Sequence, residues 1–127
     1  MKIIVISDTH GKHEKLEQYL YDPEFTEGTD IIIHAGDASN TKNPAINNNE
    51  LRDFLEWYQD LPFRHKIFVP GNHDTSIESG LIKPIDFHDI HFLINSSCIL
   101  QNLKFWGSPY TPTFGTGWAY NKARHKI

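Results

Sequence analysis

The sequence predicts an α/β domain in which short parallel strands alternate with helices. Three apolar segments rich in β-branched residues, at 2–7, 30–35 and 66–69, have the pattern of buried strands. Helical spacing between them gives the order β-α-β-α-β, which favours a parallel sheet. The length of 127 residues and the hydrophobic share of 39% suit a single core, so we expect residues 1–127 to form one domain.

Each helix has a sequence signal at one of its ends. Apolar residues at helical spacing predict a helix over 12–21, which Asp22-Pro23 ends. A polar loop over 39–49 carries an asparagine cluster that can cap the next helix. That helix is predicted over 49–60, before Pro62, because its apolar residues recur at i, i+3, i+4 and i+7. These residues are Leu51, Phe54, Leu55 and Tyr58.

Beyond Gly80 the pattern changes to short strands. Segments 91–94, 98–100 and 103–106 are separated by polar turn residues and predict a β-meander. The last twenty residues are rich in Gly, Pro, Thr and aromatics. We expect the six aromatic side chains between positions 105 and 120 to belong to the core, with a platform for stacking nucleobases as the alternative. They are Phe105, Trp106, Tyr110, Phe114, Trp118 and Tyr120.

Charge and cysteine content exclude several classes of protein. The net charge is −4 and no run of Lys or Arg occurs, which argues against a nucleic-acid backbone or an anionic membrane as the main partner. Cys98 is the only cysteine, so neither an intrachain disulfide nor a thiolate metal cluster can form. The apolar run that follows Met1-Lys2 is too short for a signal peptide or a membrane span. We therefore expect a cytoplasmic protein.

Polar side chains follow all three predicted strands. Asp8 and His10 come after the first strand, Asp37 after the second, and Asn72-His73-Asp74 after the third. Because the carboxyl ends of parallel strands share one edge of a sheet, these side chains are expected to lie close together. Any one of them alone would be read as a cap or a turn residue. The coincidence of three loops favours a functional site.

The chemistry of these side chains predicts a site for two divalent cations. Carboxylate, imidazole and amide oxygen without sulfur suit manganese, iron or zinc, and magnesium less well. Asp8 and His10 can turn toward one ion, Asp37 can bridge two, and Asn72 offers a neutral oxygen to the second. Two cations about 3.5–4 Å apart share a hydroxide and hold a phosphoryl group in such sites.

His73 and Asp74 are the predicted catalytic residues. An imidazole next to a metal ligand can stabilise developing charge or protonate a leaving oxygen. Asp74 can orient the His73 ring by accepting its other N–H. Alternatively, Asp74 caps a helix that begins at Thr75, and the two roles are compatible.

The ordered set Asp8-x-His10, Gly36-Asp37 and Gly71-Asn72-His73-Asp74 resembles the first three motifs of the calcineurin-like metallophosphoesterase superfamily. The segment KFWGSPYTPTFGTGWAYN, residues 104–121, is similar to the branch of small metallophosphoesterase-domain proteins. The resemblance implies a two-sheet sandwich flanked by helices. It also implies hydrolysis of phosphomonoesters or phosphodiesters by a metal-bridging hydroxide, and the branch is associated with phosphodiester and cyclic-nucleotide substrates.

The resemblance implies a ligand set for each ion. Asp8, His10 and Asp37 match ligands of the first metal, Asp37 and Asn72 match ligands of the second, and His73 matches the catalytic histidine. Family members continue into strands that carry further histidines, before Gly-Pro and in Gly-His-x-His, which this sequence lacks. The chain thus resembles a domain whose C-terminal part is missing. We expect an oligomer, or a second chain that completes the site.

Other functional classes are less consistent with the sequence. Phosphoaspartyl chemistry on Asp8, as in haloacid-dehalogenase-like phosphatases, needs an acid two residues later, where His10 stands. A phosphate-binding P-loop motif does not occur. A metallophosphoesterase-like scaffold that binds protein or nucleotide without turnover remains the competing interpretation.

Overall fold

The computed structural model describes residues 1–127 and contains a four-stranded parallel sheet, which confirms the α/β prediction. The order of the strands across the sheet follows their order in the chain. They are β1 (Lys2–Ile6), β2 (Thr29–His34), β3 (His65–Phe68) and β4 (Ile90–Phe92). The carboxyl ends of all four strands therefore lie along the same edge.

Four helices connect these strands, and one of them is long. They are α1 (Glu17–Leu20), α2 (Pro23–Thr26), α3 (Pro44–Gln59) and α4 (Thr75–Glu78). Helix α3 begins five residues before the predicted start at 49. The cause is Asn43, whose side chain accepts hydrogen bonds from the backbone N–H groups of Ala45 and Ile46, both at 3.1 Å, while Pro44 occupies the first helical position.

The helix predicted over 12–21 is shorter and less regular than expected. A 3₁₀ turn at His13–Leu16 leads into the single turn of α1. Consequently the side chains of His13 and Glu14 belong to the 3₁₀ turn rather than to a continuous helix.

The predicted β-meander is wrong for its first strand. β4 pairs in parallel with β3 and extends the main sheet, because Ile90 packs into the core on the helical face of that sheet. Only β5 (Ser96–Leu100) and β6 (Leu103–Gly107) form an antiparallel hairpin. A further short parallel pair joins β7 (Thr111–Pro112) to β8 (Asn121–Lys122).

The sheet has a hydrophobic layer on each face. On one face the fully buried residues of α3 pack on the sheet; they are Leu51, Phe54, Leu55 and Tyr58, as their spacing predicted. On the other face Ile31 and Ile67 pack with Leu100 of the hairpin. The Tyr58 hydroxyl lies 2.7 Å from the carbonyl oxygen of Ile67, and burial raises its pKa well above the ordinary value.

β1 lies at the edge of the sheet and is less buried than predicted. Val5 is 62% exposed, although the sequence pattern indicated an apolar strand buried on both faces. The hairpin layer packs on Ile31 and Ile67, in β2 and β3, and leaves Val5 uncovered. No helix in the structure has the length and apolar character required to cross a bilayer.

The loops after β2 and β3 are joined by one buried carboxylate, Asp74. Its Oδ2 accepts hydrogen bonds from the backbone N–H groups of Asp37 at 2.9 Å and Gly71 at 2.8 Å. Its Oδ1 accepts from the backbone N–H of Ser39 at 3.0 Å and from the Ser39 hydroxyl at 2.7 Å. Burial raises the pKa of Asp74 in spite of these hydrogen bonds, which favour the charged form.

Asn47 of α3 connects the same loops to the helical layer. It is fully buried, and its amide nitrogen lies 2.9 Å from the Thr41 carbonyl and 2.8 Å from the His73 carbonyl. Its amide oxygen accepts from the backbone N–H of Ser76 at 3.0 Å and from the Ser76 hydroxyl at 2.6 Å. The asparagine cluster predicted only to cap a helix therefore also positions the loops.

Two glycines allow the loops after β2 and β3 to approach closely. Gly36 adopts a φ of 105°, and a Cβ there would meet the Gly71 backbone at 2.9 Å. A Cβ on Gly71 would collide with the backbone nitrogen and side chain of Asp37. Any side chain at either position would separate the two loops.

His34 ties the loops after β1 and β2 together beneath the strand ends. The backbone N–H of Gly36 donates to its Nδ1 at 3.1 Å, so the neutral ring carries its proton on Nε2, which lies 3.0 Å from Thr9 Oγ1. Burial lowers the pKa of His34 to about 3. The ring packs against Phe54 with a centroid distance of 4.7 Å.

We predict that His34 makes the protein less stable in mild acid. The unfolded chain takes up a proton on this ring near pH 6.5, whereas the folded protein does so only near pH 3. The free energy of unfolding should therefore fall with decreasing pH below 6.5, with a contribution approaching about 1.4 kcal/mol per pH unit. Urea unfolding at pH 7, 6 and 5 should show this contribution in the wild type and its loss in His34→Gln. An unchanged pH dependence in His34→Gln, relative to the exposed His88→Gln control, would contradict the assignment.

We predict that Asp74→Asn lowers the free energy of unfolding by about 2–3 kcal/mol. The amide –NH₂ of asparagine must then face N–H or O–H groups whose hydrogen bonds the carboxylate oxygens now accept. Urea unfolding at neutral pH measures the difference. Asp86→Asn is the matched control, since Asp86 is exposed and its side chain makes no hydrogen bond. A change below about 0.5 kcal/mol for Asp74→Asn, typical of surface positions, would refute the structural role.

Candidate metal centre

Donor atoms from two strand ends meet at the carboxyl edge of the sheet. One side-chain ligand atom from each of Asp8, His10 and Asp37 lies within 4.8 Å of the other two. Asp8 and His10 come from the loop after β1, and Asp37 comes from the loop after β2. The convergence that the order of strands predicts is therefore present for these three residues.

The backbone conformation explains how alternate residues can face one point. Asp8, His10 and Asp37 have φ angles of 55°, 45° and 61°, in the left-handed region that non-glycine residues seldom occupy. Hydrogen bonds between the loops hold these conformations: the N–H of Asp8 donates to Gly36 O at 2.9 Å, and that of His10 to Asp37 O at 3.0 Å. All three donor residues are thus among the seven non-glycine residues of the chain with a positive φ.

The imidazole of His10 is oriented by a backbone carbonyl. Its Nδ1 lies 3.0 Å from the carbonyl oxygen of Ser39, so Nδ1 carries the proton in that contact. Its Nε2 lies 3.8 Å from Asp8 Oδ1 and is left with a free lone pair in the neutral ring. A carbonyl that fixes the tautomer in this way is typical of histidine ligands of metals.

Asn72 and Asp37 face each other in a way that suits a cation. The terminal amide atom of Asn72 that faces Asp37 lies 3.3 Å from Oδ1 and 3.2 Å from Oδ2 of the carboxylate. With the –NH₂ there, the amide donates to the Asp37 carboxylate. With the amide oxygen there, two acceptors face each other, an arrangement that a cation bound between them would satisfy.

These residues fit divalent cations of the kind predicted. The first position has two carboxylates and one imidazole, a donor set suited to manganese, iron or zinc. At the predicted second position only Asp37 and Asn72 would serve as ligands. That position would have fewer protein ligands, and more of its coordination sphere would be open.

His73 lies beside these donors and is held by two contacts. Its backbone N–H donates to Asp37 Oδ1 at 2.9 Å, and its Nδ1 lies 2.9 Å from the carbonyl oxygen of Asn40. Its ring meets that of His10 edge-on at a centroid distance of 4.6 Å. His73 Nε2 has no hydrogen-bond partner and is free to give or take a proton.

The two roles predicted for Asp74 are not the ones that the structure shows. Asn40, and not Asp74, accepts from the His73 ring, and the Asp74 side chain makes no capping hydrogen bond to α4. Asp74 instead binds the backbone of the two loops, because its carboxylate is buried beneath them and away from the imidazole. It is a positioning residue of the site.

Trp118 is a neighbour of His73 that sequence reasoning missed. Its ring lies 4.2 Å from the His73 ring, and Lys42 Nζ lies 4.2 Å from the centroid of the indole. The backbone of this segment is held as well, since the N–H of Ala119 donates to Asn72 O at 2.8 Å. Trp118 therefore limits the movement of His73, and contacts with both His73 and Lys42 leave it poorly suited to stack a nucleobase.

No local pattern could have identified the supporting residues. Trp118 lies 45 positions after His73 in the sequence. Ser39 and Asn40 contact the two histidine rings through their backbone carbonyl oxygens, and the residue type at a position does not reveal where its carbonyl points. Three further histidines lie outside the donor group: His88, His91 and His125.

Comparison with known proteins assigns the chain to a family. The family model described as calcineurin-like phosphoesterase matches residues 1–120. Metallophosphoesterase domain-containing protein 1 of Homo sapiens is 26% identical over 147 residues, covering 97% of this chain and 41% of that protein. The DNA double-strand break repair protein Mre11 of Saccharolobus solfataricus is 29% identical over 133 residues, covering 89% of this chain and 34% of that protein.

A third relative is the probable rhamnogalacturonate lyase C of Emericella nidulans, 31% identical over 129 residues, which cover 92% of this chain and 11% of that protein. The chain thus spans less than half the length of each of these relatives. The family match covers nearly the whole chain and includes every strand-end residue described above. The chain belongs to the calcineurin-like phosphoesterase family.

Proposed function

We propose that this chain carries the metal-binding and proton-transfer residues of a phosphohydrolase that cleaves phosphodiesters or phosphomonoesters. The observation that carries the proposal is the convergence of Asp8, His10 and Asp37, with ligand atoms within 4.8 Å of one another, beside a histidine with a free Nε2. Family membership supports the reaction class.

Asp8, His10 and Asp37 would hold one cation, and Asp37 with Asn72 would hold another. When bound, such ions supply the positive charge that lowers the pKa of water and draws in the phosphoryl oxygens. The protein itself contributes three carboxylates close together, Asp8, Asp37 and the buried Asp74. An anionic phosphoester is therefore repelled unless that negative charge is balanced, and we expect strict dependence on metal.

His73 provides the proton chemistry. The Asn40 carbonyl holds the proton of Nδ1, which leaves Nε2 to donate a proton to the leaving oxygen when the ring is doubly protonated. Contacts with His10 and Trp118 on either side restrict the ring to one orientation. A proton donor fixed in this way loses little entropy when the substrate is bound.

A non-catalytic or split subunit is the second candidate, and the sparse second position favours it. Asp37 and Asn72 are the only protein ligands there, so a second ion would bind weakly without donors from elsewhere. In that case the metal site would bind a nucleotide or a partner and require another chain for turnover.

We further propose that an additional strand covers β1, supplied by a second copy or by a complementary chain. β1 is an edge strand with an unpaired backbone, and Val5 is exposed on it. Ile99 and Trp106 on the outer face of the hairpin are also exposed, at 70% and 64%, so the expectation that Trp106 belongs to the core is wrong. A second sheet built on these residues would give the two-sheet sandwich typical of the family. The cytoplasmic location remains a prediction from the sequence.

We predict hydrolysis of bis(p-nitrophenyl) phosphate in the presence of Mn²⁺, abolished by chelation. Asp37→Asn should lower both activity and bound metal, because it removes the shared ligand. His73→Ala should lower kcat about 10²–10⁴-fold with bound metal unchanged, as for loss of a general acid. His88→Ala is the control, since His88 is exposed and pairs only with Asp89.

Activity that is indifferent to Asp37→Asn, His73→Ala and chelation would overturn the phosphohydrolase assignment. Metal binding that depends on Asp37, without turnover of either a phosphodiester or a phosphomonoester, would instead support the non-catalytic candidate.

We predict that the purified chain self-associates at micromolar concentrations through the β1 edge, unless a complementary chain is supplied. Light scattering with size-exclusion chromatography should detect the oligomer, and Val5→Lys should shift it toward monomer by placing a charge at the edge. Lys2→Glu is a control on the same strand. A strictly monomeric wild type that holds two metals tightly would contradict this prediction.

A further inference from the structure

A second group of metal-binding side chains lies on the helical side of the loop after β1. It contains His13, Glu14 and Asp53, with one ligand atom from each residue within 4.8 Å of the others. His13 and Glu14 belong to the 3₁₀ turn, and Asp53 projects from α3. None of the three is part of the strand-end site.

The state of His13 is unusual for a buried histidine. Its side chain is 1% exposed, yet neither ring nitrogen has a hydrogen-bond partner of acceptable geometry. His34, the other fully buried histidine, has a partner for both nitrogens. An imidazole in this state is costly in the interior, because it has lost its contacts with water and the nearby Asp53 carboxylate is too poorly aligned with Nε2 to replace them.

Two aromatic rings hold the His13 imidazole in place, and carboxylates lie close to it. The ring packs against Phe54 and Trp57 with centroid distances of 5.4 Å and 4.8 Å. Burial lowers the pKa of His13, against the opposing effect of the Asp53 and Glu14 charges, and so favours the neutral ring that a metal requires. Glu17 is a further acid nearby, and its carboxylate already accepts a hydrogen bond from the indole N–H of Trp57 at 2.9 Å.

The distance between the closest two donors fits joint coordination. His13 Nε2 and Asp53 Oδ2 are 3.1 Å apart. Two ligands of one tetrahedral zinc ion, each about 2.0–2.1 Å from the metal, are separated by about 3.3 Å. Asp53 is 67% exposed and Glu14 is exposed, so both carboxylates can rotate toward an ion that caps the edge of the imidazole.

We propose that His13, Glu14 and Asp53 form a separate site for one borderline divalent cation, with zinc as the best match to one nitrogen and two carboxylate donors. The remaining positions of the ion are open to water. Bound there, the ion links the 3₁₀ turn to α3 and so braces the loop that carries Asp8 and His10. The competing explanation is a simple ion pair between protonated His13 and Asp53.

Glu14 separates the two explanations, because it belongs to the donor group but not to the ion pair. The experiment is calorimetric titration of Zn²⁺ into the full chain with Asp8→Asn and Asp37→Asn, which remove donors of the strand-end site. One ion should still bind. Glu14→Gln should weaken it at least about tenfold, and His13→Gln should abolish it. Glu56→Gln, an exposed carboxylate on α3, should change nothing.

Should the double substitution unfold the chain, the wild type supplies a second measurement. Zn²⁺ added to protein labelled with ¹⁵N-histidine should shift the ring nitrogens of His13 as well as those of His10. In Glu14→Gln only the His13 shift should require a higher Zn²⁺ concentration, by at least about tenfold. The proposal is overturned if no ion binds outside the strand-end site, or if binding is indifferent to Glu14 and His13. Failure of the phosphohydrolase assay leaves this result unaffected.

Discussion

The Asp74 carboxylate is the constraint on which the strand-end site depends. It is buried without a cationic side chain, and it remains there because three backbone N–H groups and one hydroxyl donate to it. Two of these N–H groups belong to Asp37 and Ser39, after β2, and the third to Gly71, after β3. The position of the Asp37 ligand relative to Asn72 and His73 is therefore set by a group that touches neither a substrate nor a metal.

The strained backbone conformations and the contacts that stabilise them belong to different residues of the site. The left-handed conformations of Asp8, His10 and Asp37 each cost on the order of 1 kcal/mol or more. They persist because hydrogen bonds between the loops, together with the close approach of Gly36 and Gly71, leave no lower-energy alternative. The cost falls on the residues that carry donor atoms, whereas the stabilising contacts lie in the layer beneath, at His34, Asn47 and Asp74. That layer explains how acidic groups can stay close together before any cation neutralises them.

The parts that could be predicted are those that one segment encodes by itself. Runs of β-branched residues identify β1, β2 and β3, and parallel pairing then brings the strand ends to one edge. The pairing of β4 could not be predicted, because a three-residue apolar segment looks the same beside β3 as in a meander. Long-range contacts were missed for the same reason: Trp118 reaches His73 only after both segments have folded. Asp74 is the clearest example of a role that the sequence does not reveal. An aspartate that follows the catalytic histidine looks identical in the sequence whether its carboxylate faces the imidazole or the loop beneath.

The loop from Asp8 to Glu14 connects the two groups of donors. Its first part pairs with the loop after β2 through Asp8 and His10, and its last part faces α3 through His13 and Glu14. On the proposed assignments, an ion at either end would stabilise the conformation of the same seven-residue segment that the other ion also needs. Linkage then requires each ion to raise the affinity for the other by the same factor. On the proposed assignments, a cation that takes no part in hydrolysis would still tighten the strand-end site, because both depend on one short stretch of backbone.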